Sequence, residues 1–307
     1  MQTAYISHPL CLKHDMGIHH PECPARIHAI EDQLIASGLM DYLQHHDAPE
    51  ATREQLLHVH DAAHLDHVAA TSPAQGIVHI DGDTAMNPYT YQAALRAAGA
   101  AVLAVDLVMT GKVENAFCGV RPPGHHAERA RAMGFCLFNN VAVGAAHALE
   151  HHGLKRVAIA DFDVHHGNGT EDIFRNDPRV MLCSTFQHPF YPDSGADSGN
   201  EHIINVPLAA GAGGSEFRAA VTEHWLSALE AFKPEMIFIS AGFDAHRDDD
   251  MSMLRLSEPD YAWVTTELKL IAEKYAQRRI VSVLEGGYEL HALGRSVMTH
   301  VKVLSGL

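Results

Sequence analysis

Short runs of apolar residues recur along the chain and alternate with longer segments of helical period. The runs at 4–7, 116–120, 157–160, 180–185, 203–206, 236–240 and 280–284 predict strands. Helices are predicted over 25–37, 89–110, 138–151, 169–175, 215–232, 258–276 and 290–304. The first of these presents Ile27, Ile30, Leu34 and Ile35 as its apolar face. Gly111 and Gly153 follow two of them as C-terminal glycines, and Ser215 is placed to cap another. Thr52 and Gln55 form a capping-box pattern at a further helix start. Polar stretches at 19–24, 80–84 and 190–195 read as loops. An uninterrupted apolar run such as 157–160 reads as a buried parallel strand. Strands separated by helix-length segments predict an α/β fold, with a central parallel β-sheet and helices on both faces.

Composition narrows this picture. With 307 residues, 47% of them hydrophobic, the chain has material for a large core. No linker, low-complexity tract or repeat divides it, so one domain over 1–307 is expected. A net charge of −16 argues against a basic nucleic-acid surface. It suits a cationic partner, such as a lysine-rich peptide or a polyamine, and equally a solubilising surface. Five scattered cysteines without C-x-x-C spacing point to a reducing compartment, and the cytoplasm is expected. The N-terminal residues carry no basic region followed by an apolar core. The apolar stretch 93–109 is interrupted by Arg96 and Asp106 and is too short to span a membrane.

Chemistry gathers where the strands end. After 157–160 come Asp161, Asp163 and His165, followed by Gly167 and Asn168. Asp163 and His165 are two apart, so an extended backbone points them to the same face. After 116–120 comes Arg121-Pro-Pro-Gly-His125-His126; after 236–240 comes Gly242-Phe-Asp244; after 280–284 comes Glu285-Gly-Gly-Tyr288. In a parallel sheet these carboxyl ends share one edge, so the groups can meet. Asp163, His165 and Asp244 then offer three ligands and leave one position open, as in catalytic zinc sites. A histidine pair can move protons near neutral pH, and a tyrosine hydroxyl can stabilise an oxyanion. Together these suit metal-assisted hydrolysis of an amide. His60, His64 and His67 also fall at helical spacing, either as a metal set or as incidental residues of a polar helix face.

At these positions the sequence resembles the histone deacetylase family, of arginase/deacetylase fold. The matching blocks are HPECPAR at 20–26, RPPGHHA at 121–127, DFDVHHGNGT at 161–170, SAGFDAH at 240–246 and LEGGY at 284–288. The resemblance implies Zn²⁺ on Asp163, His165 and Asp244, with Fe²⁺ open on the same set. It implies His126 as general base and acid, oriented by Asn168, and His125 as an electrostatic partner paired with Asp161. Tyr288 would polarise the scissile carbonyl. Phe135 and Tyr191 would wall a substrate tunnel, Arg26 would line an inner cavity for the leaving acid, and Asp83 would sit at the rim. His246 and the run 247–250 fall near the expected tunnel mouth. A structural K⁺ would use Asp161, Asp163, His165 and Ser184, largely through carbonyls.

Two details are specific to this chain. Asn168 matches the class II pattern, where class I members carry Asp. Tyr191 stands where Phe is commoner. The implied activity is zinc-dependent hydrolysis of acyl-lysine in proteins or peptides. Acetylpolyamine amidohydrolysis is the alternative, and the short segment 13–26 favours the open tunnel of a lysine-type substrate. A third possibility is a non-catalytic acyl-lysine binding module, against which the intact ligands and Tyr288 argue.

Overall fold

The structure, a computed structural model, describes residues 2–307. Its strands are β1 (Thr3–Ser7), β2 (Leu43–Asp47), β3 (Val78–His79), β4 (Ala85–Met86), β5 (Asn115–Cys118), β6 (Val157–Asp161), β7 (Val180–Gln187), β8 (Ile203–Leu208), β9 (Met236–Ala241) and β10 (Ile280–Leu284). Eight of them form one parallel sheet in the order β2-β1-β5-β10-β9-β6-β7-β8, and β3 pairs with β4 in a small separate hairpin.

The helices are α1 (Ala25–Ala36), α2 (Arg53–Leu57), α3 (Ala62–Thr71), α4 (Thr90–Met109), α5 (Asn140–Glu150), α6 (Asn168–Phe174), α7 (Gly214–Ala220), α8 (Ser227–Phe232), α9 (Glu258–Tyr275) and α10 (Leu290–Ser305). They cover both faces, so alternate strand residues enter two different cores. Ile6, Cys118, Val157, Ile159, Phe238 and Val283 pack with α4 and α5. Tyr5, Phe117, Ala158, Ala160, Ile237 and Leu284 pack with α1, α9 and α10. This explains the near-continuous apolar runs of the central strands. Helix α4, although long and apolar enough to cross a bilayer, lies largely buried in the first core.

Several boundaries differ from expectation. β5 begins and ends earlier than the apolar run: its last tie to β1 is the Gly119 N–H, which donates to Ile6 O at 2.9 Å. Ile35 is 62% exposed, so the buried face of α1 is Ile27, Ile30 and Leu34. The predicted helix 215–232 begins at Gly214, where the Glu216 carboxylate accepts from Gly213 N. It contains a π-helical stretch, Val221–Leu226, between α7 and α8. The polar strand β2 was not predicted; it is an edge strand whose partner is β1.

Candidate active site

Four neighbouring strands, β5, β10, β9 and β6, occupy the middle of the sheet. Their carboxyl ends carry the His125–His126 pair, the Tyr288 loop, Asp244, and Asp161 with Asp163 and His165. The chain thus brings together side chains that lie far apart in sequence.

Asp163, His165 and Asp244 each offer a ligand atom within 4.8 Å of the other two, and all three are buried. His165 Nδ1 lies 3.1 Å from Asp163 Oδ1 and 3.2 Å from Asp244 Oδ2. One ring nitrogen cannot satisfy two carboxylates, and Asp244 Oδ2 has no hydrogen-bond partner among the described residues. The remaining oxygens are held by the backbone: Asp163 Oδ2 accepts from Gly286 N and Asp244 Oδ1 from Val164 N, both at 2.9 Å. Burial, then the charge of Asp163, pushes Asp244 up to about 6. Burial opposes charge on His165, but its two carboxylate neighbours lift it to about 9. An excess of buried negative charge and an orphaned oxygen fit a divalent cation with mixed nitrogen and oxygen ligands. A Cβ on Gly286 would stand 2.1 Å from Asp244 Oδ2, so only glycine lets the β10 loop approach so closely.

The two histidines are set apart by their partners. His125 Nδ1 is 3.0 Å from Asp161 Oδ2 and its Nε2 is 3.7 Å from Asp163 Oδ1. Burial opposes a charged ring, yet Asp163 and Asp161 raise His125 well above its ordinary value. His126 is lowered well below its ordinary value, by burial and then by His125 and His165. Its Nδ1 lies 2.7 Å from Asn168 Oδ1. The orientation of that amide is decided by a residue the sequence reading missed. Asn168 Nδ2 donates to Glu128 Oε1 at 2.8 Å, and an ionised carboxylate only accepts. Asn168 must therefore turn its oxygen to His126, Nδ1 carries the proton, and Nε2 keeps its lone pair. The proximity of Glu128 to the HHA motif is the one sequence signal that could have found it.

Further buried groups brace the loops. Glu285 Oε2 accepts from Gly124 N at 2.6 Å and His125 N at 3.0 Å, and burial pushes its carboxyl up to about 7. Glu22 bridges Arg121 and Arg26. Burial disfavours its charge, but Arg121 and His14 hold its carboxyl well below the ordinary range. Asp249 Oδ2 accepts from Tyr288 N at 2.6 Å and Glu289 N at 3.0 Å, so a member of the acidic run 248–250 fixes the Tyr288 loop.

A cavity of about 300 Å³ opens over this centre. It is lined by Asp83, His126, Gly134, Phe135, His165, Phe190, Tyr191, Met251 and Tyr288. Phe135 and Tyr191 are among the expected wall residues. Phe190, stacked on His165 with ring centroids 5.5 Å apart, was not foreseen. Phe135 has φ +67, a rare backbone state for an aromatic, held by its N–H donating to Thr84 Oγ1 at 3.0 Å. Tyr288 meets Phe135 edge to face, and burial keeps its phenol protonated well above the ordinary value.

The cavity lining does not include Arg26. Arg26 lies 4.9 Å from the Tyr288 ring centroid and donates to Gly287 O, Glu285 O and Glu22. It clamps the loop from below. Ser184 flanks Asp161 in the β6–β7 register, and its buried hydroxyl has no partner among the described residues. His246 is buried behind the site, its Nδ1 accepting from Asp248 N. His60 and His64 serve the scaffold: His60 bridges Glu128 O and Asn139 N, while His64 donates to Leu137 O and His67 faces solvent. Among the described residues these three histidines belong to no group that could hold a metal ion.

The family model described as histone deacetylase domain matches residues 20–304. A histone deacetylase-like amidohydrolase of Pseudomonas aeruginosa is 36% identical over 330 residues, covering 100% of this chain and 87% of that protein. Polyamine deacetylase HDAC10 of Mus musculus is 38% identical over 302 residues, covering 93% of this chain and 45% of that protein. The crystal structure of the HDA15 HD domain matches with a TM-score of 0.94 at 36% identity, covering 99% of this chain and 90% of that one. Agreement of this extent, in sequence and in backbone, makes the chain a member of the histone deacetylase family and an enzyme of the hydrolase type.

Proposed function

We propose that the chain is a zinc-dependent deacylase that hydrolyses the amide of acyl-lysine in proteins or peptides. The observation that carries this reading is the cavity itself, with aromatic walls and a floor where His126, His165 and Tyr288 meet. Phe135, Phe190 and Tyr191 suit an extended aliphatic chain, and the polar floor suits an amide at its end. Asp163, His165 and Asp244 would hold the metal, and Zn²⁺ so bound activates water and polarises a carbonyl. Fe²⁺ is compatible with the same donors. His126 Nε2, bare because Asn168 holds Nδ1, takes a proton from the attacking water and returns it to the leaving amine. His125, held by Asp161, stabilises developing negative charge beside it. The Tyr288 hydroxyl donates to the carbonyl oxygen as charge grows there. Ser184, with Asp161, Asp163 and His165, is the proposed K⁺ site. Five free cysteines suit a reducing compartment such as the cytoplasm.

An acetylated polyamine is the second reading. The Asp83 carboxylate on the cavity wall favours it, since that charge would meet an ammonium group. Purified enzyme loaded with Zn²⁺ is to be assayed on acetyl- and longer acyl-lysine peptides beside acetylated polyamines. The proposal expects kcat/KM at least about tenfold higher for a peptide, and the reverse order would establish the second reading. In Tyr288→Phe, kcat should fall about 10²–10³-fold with peptide affinity retained. Peptide binding without turnover in the metal-loaded parent would leave a binding module.

A further inference from the structure

A second group of metal-ligating side chains stands far from the cavity. Asp106 lies in the last turn of α4, His147 in the last turn of α5, and His151 and His152 directly after it. These helices lead into β5 and β6, so their C-termini lie at the amino edge of the sheet, opposite the candidate active site. His147 Nε2 and His152 Nε2 both contact the same oxygen, Asp106 Oδ1, at 2.8 and 2.7 Å. The His151 ring stacks on His147 with centroids 4.7 Å apart and meets His152 at 4.9 Å. One ligand atom from each of the four residues lies within 4.8 Å of the other three.

Three imidazoles and one carboxylate around a common point are the donor set of a zinc-class cation. His147 and His151 are four apart, one turn of helix, so they share a face. The last turns of α4 and α5 carry no lysine or arginine to offset the negative ends of their dipoles. A cation at their junction supplies that charge. We propose that Asp106, His147, His151 and His152 form a second metal site, which takes one divalent transition cation of the zinc class and ties α4 to α5. Four protein ligands close the coordination shell, so the site is structural. The ion would replace the protons now shared with Asp106, and the two histidine contacts to Asp106 Oδ1 would lengthen to about 3.3 Å, the spacing of a tetrahedral zinc shell. The Asp106 side chain is 44% exposed, which leaves the ion a way in.

Equilibrium dialysis of the metal-free full-length chain against Zn²⁺ tests this. His151→Ala/His152→Ala alters two residues at the end of a helix, where folding tolerates change. It should bind one equivalent less than the parent and show a smaller rise in Tm on adding Zn²⁺. With Co²⁺ as probe, the parent-minus-variant spectrum should show the d–d absorption of a four-coordinate ion. Asp106→Asn, which keeps the shape but removes the charge, should weaken this second equivalent about tenfold or more. Deacylase turnover should stay within about twofold in both variants, and loss of activity in Asp244→Ala is a separate matter that leaves this site untouched. Equal stoichiometry, equal Tm response and no difference spectrum would overturn the proposal and leave the cluster a hydrogen-bonded network.

Discussion

The identity of the protonated nitrogen on His126 rests on a carboxylate that does not touch it. Glu128 can only accept, so Asn168 gives it the amide N–H and turns its oxygen to His126. A glutamine at 128 can present either end of its amide. Asn168 is then free to flip and donate to Nδ1, which moves the proton to Nε2 and removes the proposed base. Glu128→Gln should lower kcat about 10–100-fold, the usual range for losing an orienting partner, with little change in KM. Asp at 168 has oxygens to offer His126 whichever way it turns, and it is repelled by Glu128. In an Asn168→Asp background, Glu128→Gln should therefore cost little or restore activity. Equal losses in the two backgrounds would reduce Glu128 to a packing residue.

At the scale of elements, helix α4 shows how packing reverses an intrinsic preference. By propensity alone, alanine in place of the mid-helix Gly99 should stabilise by about 1 kcal/mol. Yet a Cβ there would stand 2.0 Å from Pro49 O and 2.8 Å from Ala51 N. Both atoms belong to the segment linking β2 to α2, and Ala51 N donates to Leu95 O of α4 at 2.9 Å, so the backbone has little room to retreat. Gly99→Ala should destabilise by about 1–3 kcal/mol, read as a lower urea midpoint. A midpoint at or above that of the parent would show that the 49–51 segment yields freely.

The whole molecule buries neutral histidines in its scaffold, and these couple its stability to pH. Burial lowers His300 to about 3, and burial followed by His64 lowers His60 to about 3. His300 sits between the Thr265 and Ser282 hydroxyls at 2.7 and 2.8 Å. The unfolded chain takes up a proton on each below about 6.5, whereas the folded chain refuses it until about 3. Their contribution is therefore complete above about 6.5 and lost as pH falls toward 3. Each should cost about 2 kcal/mol by pH 5. Urea midpoints between pH 7.5 and 5 should fall accordingly, and His300→Gln should show a shallower slope. A parallel slope in that variant would remove His300 as a source of the acid sensitivity.

Much of this molecule was legible from its sequence because the information is local. Apolar runs, buried on both faces in all but the edge strand β8, announced seven of the eight sheet strands at nearly their observed positions. The two-residue spacing of Asp163 and His165 and the glycines after each strand announced the candidate ligands and the edge they share. The resemblance supplied the wall residues Phe135 and Tyr191 and the partner Asn168. Strand β2 escaped because Leu43–Asp47 is polar, and only its pairing with β1 makes it a strand. Glu128, 40 positions before Asn168, and Asp106, 41 and 46 before His147 and His152, escaped for another reason. A side chain's role there depends on a partner delivered by another element, and pattern along the chain carries no record of that distance. The resemblance makes Arg26 an inner-cavity residue, and only the fold shows that its donors meet Glu22 and the Gly287 and Glu285 carbonyls. Sequence determined which groups stand at each strand end. Only the order β5-β10-β9-β6 decided which of them meet, because contact between distant segments is set by how the layers pack.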